Sequence, residues 1–140
     1  MVELNQWHRG RLIDHIQLVV ADFEACKRFY AAILDVLGVP LVEGEGYFFA
    51  DELFVTPGTP LTGRAHLAFQ AADESMVQRF HAAALVAGGR DNGAPELRDY
   101  HPGYYAAFVL DPEGNNIEAV YHGPARRSAP SVVLTDDSQA

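Results

Sequence analysis

Apolar and polar residues alternate along IDHIQLVV at 13–20. Ile16, Leu18 and Val20 fall on one face, and His15, Gln17 and Val19 on the other, which predicts a strand with one buried side. The period then lengthens. Cys26, Phe29, Ile33 and Leu37 recur at helical spacing between Asp22, a natural N-cap, and Gly38, a natural C-cap. Three short strands follow at about 39–43, 46–50 and 53–56, broken at Gly44–Gly46 and at Asp51–Glu52. The succession then starts again. His66, Ala68 and Gln70 oppose Leu67, Phe69 and Ala71, Asp73 opens a second helix on Val77, Phe80, Ala84 and Leu85, and Gly88–Gly89 closes it. An edge strand near 89–92 leads into the polar loop NGAPELRDYHPG. A hairpin, YYAAFVL and NNIEAVYH, then turns at Asp111-Pro112-Glu113-Gly114.

The second succession copies the first. Residues 15–38 and 66–89 align at a constant offset of 51 across 24 positions without a gap. Nine pairs are identical, among them His15/His66, Asp22/Asp73, Arg28/Arg79, Phe29/Phe80 and Gly38/Gly89. That exceeds what a chance register of an Ala-rich chain supplies, so the chain carries a duplicated supersecondary unit. Each copy reads βαβββ, giving an α+β fold of eight strands and two main helices. One domain is expected over 12–122, with module one at about 12–57, a linker at 57–63 and module two at about 64–122. Residues 1–11 read as a polar arm around Trp7, and 123–140 as a mobile tail.

Composition narrows the partners. The chain has 140 residues, 49% hydrophobic, enough for a real core. A formal net charge of −9 argues against nucleic acid or an anionic membrane surface as partner. No segment has the length and apolarity of a membrane span or a signal peptide, so a cytoplasmic protein acting on a small molecule is expected. The single cysteine, Cys26, excludes an internal disulfide and lies on a helix's apolar stripe, away from any base that would make it a nucleophile.

Paired about a pseudo-twofold axis, two such units would set the mixed strand faces around a concavity. His15 and His66 would then be symmetry mates, and Glu118 of the last strand would share their side. Two imidazoles and one carboxylate form a ligand set for one divalent transition metal (Fe, Ni, Zn or Mn), with positions left open for substrate. The same pattern suits hydrogen-bonded wall histidines and a salt-bridged strand carboxylate. Gln17, Tyr47, Phe49, Gln70, Tyr104 and Phe108 are candidates to line the cup, where aromatic walls favour a compact, partly apolar ligand.

The residues that carry chemistry also carry a resemblance. D-H-I-Q-L-V-V-A-D-F-E-A-C-K-R-F-Y at 14–30, A-H-L-A-F at 65–69 and F-V-L-D-P-E-G-N-N-I-E at 108–118 resemble the vicinal oxygen chelate superfamily. That superfamily groups glyoxalase I, extradiol dioxygenases, fosfomycin-resistance thiol transferases and bleomycin-binding proteins. The resemblance spans roughly 12–122 and implies paired βαβββ modules forming an open barrel-like cup. His15, His66 and Glu118 match the family's metal-ligand positions, and the implied chemistry is polarisation of a carbonyl or vicinal-oxygen substrate by a lyase or isomerase. A homodimer is implied as well, since members often pair modules across subunits.

Departures from the family pattern discriminate among branches. The fourth carboxylate ligand of glyoxalase I would fall near Phe54, although Glu52, two residues earlier, offers a base. Gln17 and Phe108 stand where fosfomycin transferases carry Thr and Tyr. Extradiol dioxygenases add an acid/base histidine near the metal, a part open to His101 in the loop before the Tyr104 strand, which also reads as an exposed loop histidine beside Pro102. Fe(II) ring cleavage is the alternative chemistry. A metal-free, small-molecule-binding protein of the bleomycin-resistance kind is the non-enzymatic alternative. R-D-N-G-A-P-E-L-R followed by H-P-G-Y-Y-A-A-F-V-L resembles an uncharacterised bacterial subgroup.

Overall fold

The structure, a computed structural model, describes residues 6–136. Both copies of the repeat form as the pattern predicts. In module one, β2 (Ile16–Val20) leads into α1 (Phe23–Leu37), then β3 (Val42–Gly44), β4 (Tyr47–Ala50) and β5 (Leu53–Pro57). In module two, β6 (His66–Gln70) leads into α2 (Glu74–Val86), then β7 (Arg90–Leu97), β8 (Tyr105–Leu110) and β9 (Asn116–Tyr121). Each module makes a four-stranded mixed sheet, ordered β2-β5-β4-β3 and β6-β9-β8-β7. The first strand pairs parallel with the last in both, and the remaining pairs are antiparallel. Together the sheets form an open, unclosed cup.

The alternation sorts each strand's side chains as expected. Leu18 and Val20 are buried, and Leu67 and Phe69 pack against the same core. His15, Gln17, His66, Ala68 and Gln70 face outward and are exposed. Asp22 accepts from the Ala25 N–H at 3.1 Å and Asp73 from the Met76 N–H at 2.8 Å. Each cap stabilises its helix by about 1 kcal/mol. α1 ends at Gly38, whose φ of 76° suits a residue without Cβ. Cys26, Phe29, Tyr30, Ile33 and Leu34 bury one stripe of α1, and Val77, Phe80 and Ala84 one stripe of α2. Leu85, expected on the buried stripe of α2, is 38% exposed.

The two modules share one core, with α1 against α2, and polar bolts secure it. The β8–β9 turn of module two reaches the start of α1 in module one. There Glu113 accepts the Ala21 N–H at 2.8 Å and the Asp22 N–H at 3.1 Å, placing a carboxylate at a helix N-terminus. Buried Asp111 accepts the Tyr30 hydroxyl at 2.5 Å, the Glu113 and Asn115 N–H groups, and the Asn115 side-chain amide. The D-P-E-G segment, read as a turn, also holds the modules together.

Two elements depart from expectation. The edge strand near 89–92 runs on to Leu97, through residues read as polar loop. A bulged register lets it do so, with shifts between Asp91 and Gly93 and between Gly93 and Glu96. The Arg98 side chain ties the irregular strand to its neighbour by donating to the carbonyls of Ala94 and Ala106. In addition, β1 (Gln6–Arg9) pairs antiparallel with β10 (Val132–Thr135), a two-stranded ribbon where no strand was expected. It forms from the arm and the tail.

Candidate functional site

Strand register places the donors. In module two, Ala68 of β6 is opposite Glu118 of β9, and Glu118 is opposite Phe108 of β8. His66 lies two residues before Ala68, on the same face. Its Nε2 stands 2.8 Å from Glu118 Oε1. Glu118 is 2% exposed, whereas the His66 side chain is 54% exposed. The result is an accessible imidazole backed by a buried carboxylate. The second carboxylate oxygen, Oε2, accepts the Tyr104 hydroxyl. Burial first, and then the Glu118 hydrogen bond, push the Tyr104 phenol above its ordinary range, so it remains a donor.

Around these donors stand rings and one cation. The Phe108 ring lies 5.9 Å from the His66 ring, and the Arg98 guanidinium sits over the same Phe108 ring, 5.1 Å from its centroid. Gly93 makes that layer possible, since a Cβ there would come within 2.9 Å of the Phe108 ring and 3.2 Å of Arg98. Tyr104 packs edge-on against Tyr100, His101 and His122. His101 Nε2 and His122 Nδ1 are hydrogen-bonded at 2.9 Å. His101 is therefore engaged with a second histidine beside Tyr104.

Module one presents a different surface at the matching positions. Gln17 is opposite Phe54, and Phe54 opposite Phe49, so Phe54 holds the place that Glu118 holds in module two. Tyr47, Phe49 and Phe54 lie nearly parallel, with centroids 5.4–6.5 Å apart. Gly44 leaves room for the Tyr47 ring, which would overlap any Cβ at that position. Gln17 donates to Thr56 Oγ1 at 3.1 Å on the same face.

The remaining candidates are dispersed. His15 is exposed at the entry to β2, its Nδ1 2.6 Å from Asp14 Oδ1. The His15 hydrogen bond, aided by the Arg9 charge, holds the Asp14 carboxyl below the usual carboxylate range. Glu52 and Gln70 line a cavity of about 680 Å³ whose walls include Ile16, Leu34, Leu37 and Phe69. Neither His66 nor Glu118 lines it.

One chain therefore brings together two of the three expected metal donors. Among the described residues, no group of three or more His, Cys, Asp or Glu comes together to hold a metal. The pair that does form has suitable chemistry. An imidazole nitrogen and a carboxylate oxygen are both ligands of divalent transition metals, and here they meet at hydrogen-bond distance, 2.8 Å. A third donor has to come from beyond this pair. Sequence reading missed Tyr104 as a partner of Glu118, His122 as a partner of His101, and Arg98 over Phe108. A usable signal was present: counting back from the 111–115 turn places 104, 106 and 108 on the face of 122, 120 and 118.

Comparison with known proteins agrees with this architecture. Residues 12–119 match the family model described as Glyoxalase/Bleomycin resistance protein/Dioxygenase superfamily. A crystal structure of a glyoxalase/bleomycin resistance protein from Albidiferax ferrireducens T118 is 28% identical, with a TM-score of 0.64 over 78% of this chain and 97% of that one. A glyoxalase-related enzyme from Fulvimarina pelagi is 21% identical, with a TM-score of 0.67 over 89% and 97% of the two chains. The lactoylglutathione lyase of Agrobacterium tumefaciens, at 20% identity and a TM-score of 0.57 over 79% and 93%, shares the fold. No curated protein matches the sequence. The family match covers most of the chain, and the duplicated modules form as the family's do: the chain belongs to the glyoxalase/bleomycin resistance protein/dioxygenase superfamily.

Proposed function

We propose that this protein is a cytoplasmic, homodimeric, metal-dependent enzyme that polarises a carbonyl or vicinal-oxygen group of a small molecule, in the manner of a lyase or isomerase. The observation that carries this reading is the His66–Glu118 pair, with the imidazole exposed and the carboxylate buried behind it. His66 and Glu118 would hold one divalent metal, Fe, Ni, Zn or Mn, and His15 of a second copy would supply the third donor. The bound ion would act as a Lewis acid on a substrate oxygen. Buried Glu118 contributes negative charge that water screens poorly, and in the metal-free chain its hydrogen bond to Nε2 keeps the His66 ring at the site. Phe108, joined by Tyr47, Phe49 and Phe54 if module one closes over the site, would hold the apolar part of the substrate and exclude water. Gln17 and Gln70 offer amide donors at the margin. His101 would move a proton at the rim, with Glu52 as the other candidate base.

The site is incomplete in one chain, which makes the reading testable by mixing. Metal content is measured on purified wild type and on His66→Ala, Glu118→Ala and His15→Ala variants, beside the mass in solution. Near-stoichiometric metal in the wild type, lost in each variant, is expected for a dimer. Combining His15→Ala with His66→Ala after subunit exchange should restore a site, because one arrangement pairs an intact His15 with an intact His66. A wild type that takes up no metal on reconstitution refutes the enzyme reading. A monomer that retains metal refutes the shared site. Oxygen consumption by the Fe(II)-loaded protein would favour the dioxygenase alternative, and tight ligand binding that survives chelation would favour the metal-free binder.

A further inference from the structure

We propose that Tyr104 is a positioning residue that fixes the mode in which Glu118 presents its carboxylate, holding Oε2 so that Oε1 alone faces the metal position beside His66. The inference rests on the metal reading above and adds to it the number of positions left for substrate. Carboxylates bind ions through one oxygen or through both. Glu118 has its two oxygens assigned to different partners: Oε1 to His66 Nε2 at 2.8 Å, and Oε2 to the Tyr104 hydroxyl. An oxygen that accepts a phenol hydrogen bond is a poorer second ligand, since that bond draws on its charge and fixes its direction, and swinging it onto the ion would strain the bond. Single-oxygen binding by Glu118 leaves one more position open than chelation through both, and a substrate with two vicinal oxygens needs the room.

Tyr104 is itself held by three rings. Its ring meets Tyr100 at 4.9 Å and 69°, His101 at 5.3 Å and 80°, and His122 at 5.3 Å and 87°. These are edge-to-face arrangements of the favourable kind. The His101–His122 hydrogen bond braces two of the three rings. The Tyr104 backbone is tied as well, its carbonyl accepting from Arg98 N–H at 2.8 Å and its N–H donating to the His101 carbonyl at 3.1 Å. Ala106, between Tyr104 and Phe108 on the same strand face, presents only a methyl, and the Tyr104 hydroxyl reaches Glu118 on the neighbouring strand. Rotation of Glu118 to offer both oxygens would thus meet a braced ring.

The test is Tyr104→Phe, which keeps the ring and removes the hydroxyl, read by Co2+ titration with visible absorption and by near-ultraviolet circular dichroism. Wild type and variant are compared at full Co2+ occupancy, with His66→Ala as the control. The expected result is a native dichroism spectrum and a Co2+ band that weakens and moves to shorter wavelength in Tyr104→Phe, as the coordination number rises. A Co2+ spectrum that superposes on wild type overturns the proposal while leaving the metal site standing, whatever the change in affinity. Wild type that binds no Co2+, or His66→Ala that binds it equally well, overturns the metal reading and this proposal with it.

Discussion

Tyr30→Phe isolates the hydroxyl that joins the two modules. Tyr30 is fully buried on α1, and its hydroxyl donates to Asp111 Oδ2 at 2.5 Å, from module one into the β8–β9 turn of module two. Burial and the nearby Asp111 charge push the phenol well above its ordinary range, so it is a donor throughout the pH range of a folding experiment. Losing one hydrogen bond to a buried charged acceptor costs about 1.5–3 kcal/mol. The loss stays at that level because Asp111 Oδ2 keeps the Asn115 amide at 2.9 Å. Asp111→Ala is harsher. It strands the Tyr30 hydroxyl and the Asn115 amide in the interior and removes the acceptor for two turn N–H groups, for about 3–5 kcal/mol. A chain of this size is stable by about 7–20 kcal/mol, so both variants should fold.

Urea denaturation of wild type, both single variants and the double variant closes a cycle. The expected coupling between Tyr30 and Asp111 is about 1.5–3 kcal/mol, and Tm should fall by about 2–4 °C for each kcal/mol lost. Because His66 and Glu118 lie together in one sheet of module two, the Tyr30→Phe protein should keep its metal content. A Tyr30→Phe change within about 0.5 kcal/mol of zero, or an additive cycle, would refute the view that this contact bolts the modules together.

Glu113→Ala should destabilise by about 1–2 kcal/mol in urea, because two N–H groups at the start of α1 exchange a carboxylate for water. Glu113→Gln, which keeps an acceptor without the charge, should recover part of that. Burial first, and then the Asp111, Glu113 and Asp22 charges, push the Cys26 thiol from 9.0 up to about 12, so the folded state favours the protonated form. Its contribution is complete below pH 9 and falls away as pH rises from 9 to 12. Stability of Cys26→Ala between pH 9 and 11 should decline less steeply than wild type, and parallel curves would contradict the assignment. Gly93→Ala should cost about 1–3 kcal/mol, since its Cβ would press on Phe108 and Arg98 at a φ of 154°. An unchanged Tm would show that the layer over His66 yields easily.

How much of this was legible depended on the range of the interaction. The duplicated strand-helix unit was readable because its signals are local: alternation at 16–20, caps at Asp22 and Asp73, and stripes through Phe29 and Phe80. The equivalence of Phe54 and Glu118 followed from the repeat, and the register confirms it. The strand through Asn92–Leu97 was not legible, because a bulge sustained by Arg98 overrides a run of polar residues, Gly and Pro. The ribbon of Gln6–Arg9 and Val132–Thr135 joins segments some 125 residues apart, and neither carries a strong pattern of its own. Asp111 and Glu113 read as turn residues because turns favour them. Their partners, Tyr30 and the start of α1, lie about 80–90 residues away, beyond any local signal.

The same distinction explains why His15, expected to join His66 and Glu118, is found with Asp14 and completes no group of three donors among the described residues. A repeat fixes what each module offers at its matching positions, but the packing of one module on the other decides which faces meet. Here α1 and α2 share the interior, and Tyr30 and Glu113 secure the joint, leaving His15 at the entry to β2 with Asp14. The modules have also diverged in chemistry while keeping the fold. His66 and Glu118 put donors on one sheet, whereas Phe54, at the position matching Glu118, joins Tyr47 and Phe49 in an aromatic ladder on the other. Module one retains its histidine but has Phe54 where module two has Glu118, so among the described residues the His–Glu donor pair forms in module two alone. Duplication has thus supplied two different surfaces, one that holds charge and one that holds rings, and a shared cup needs both.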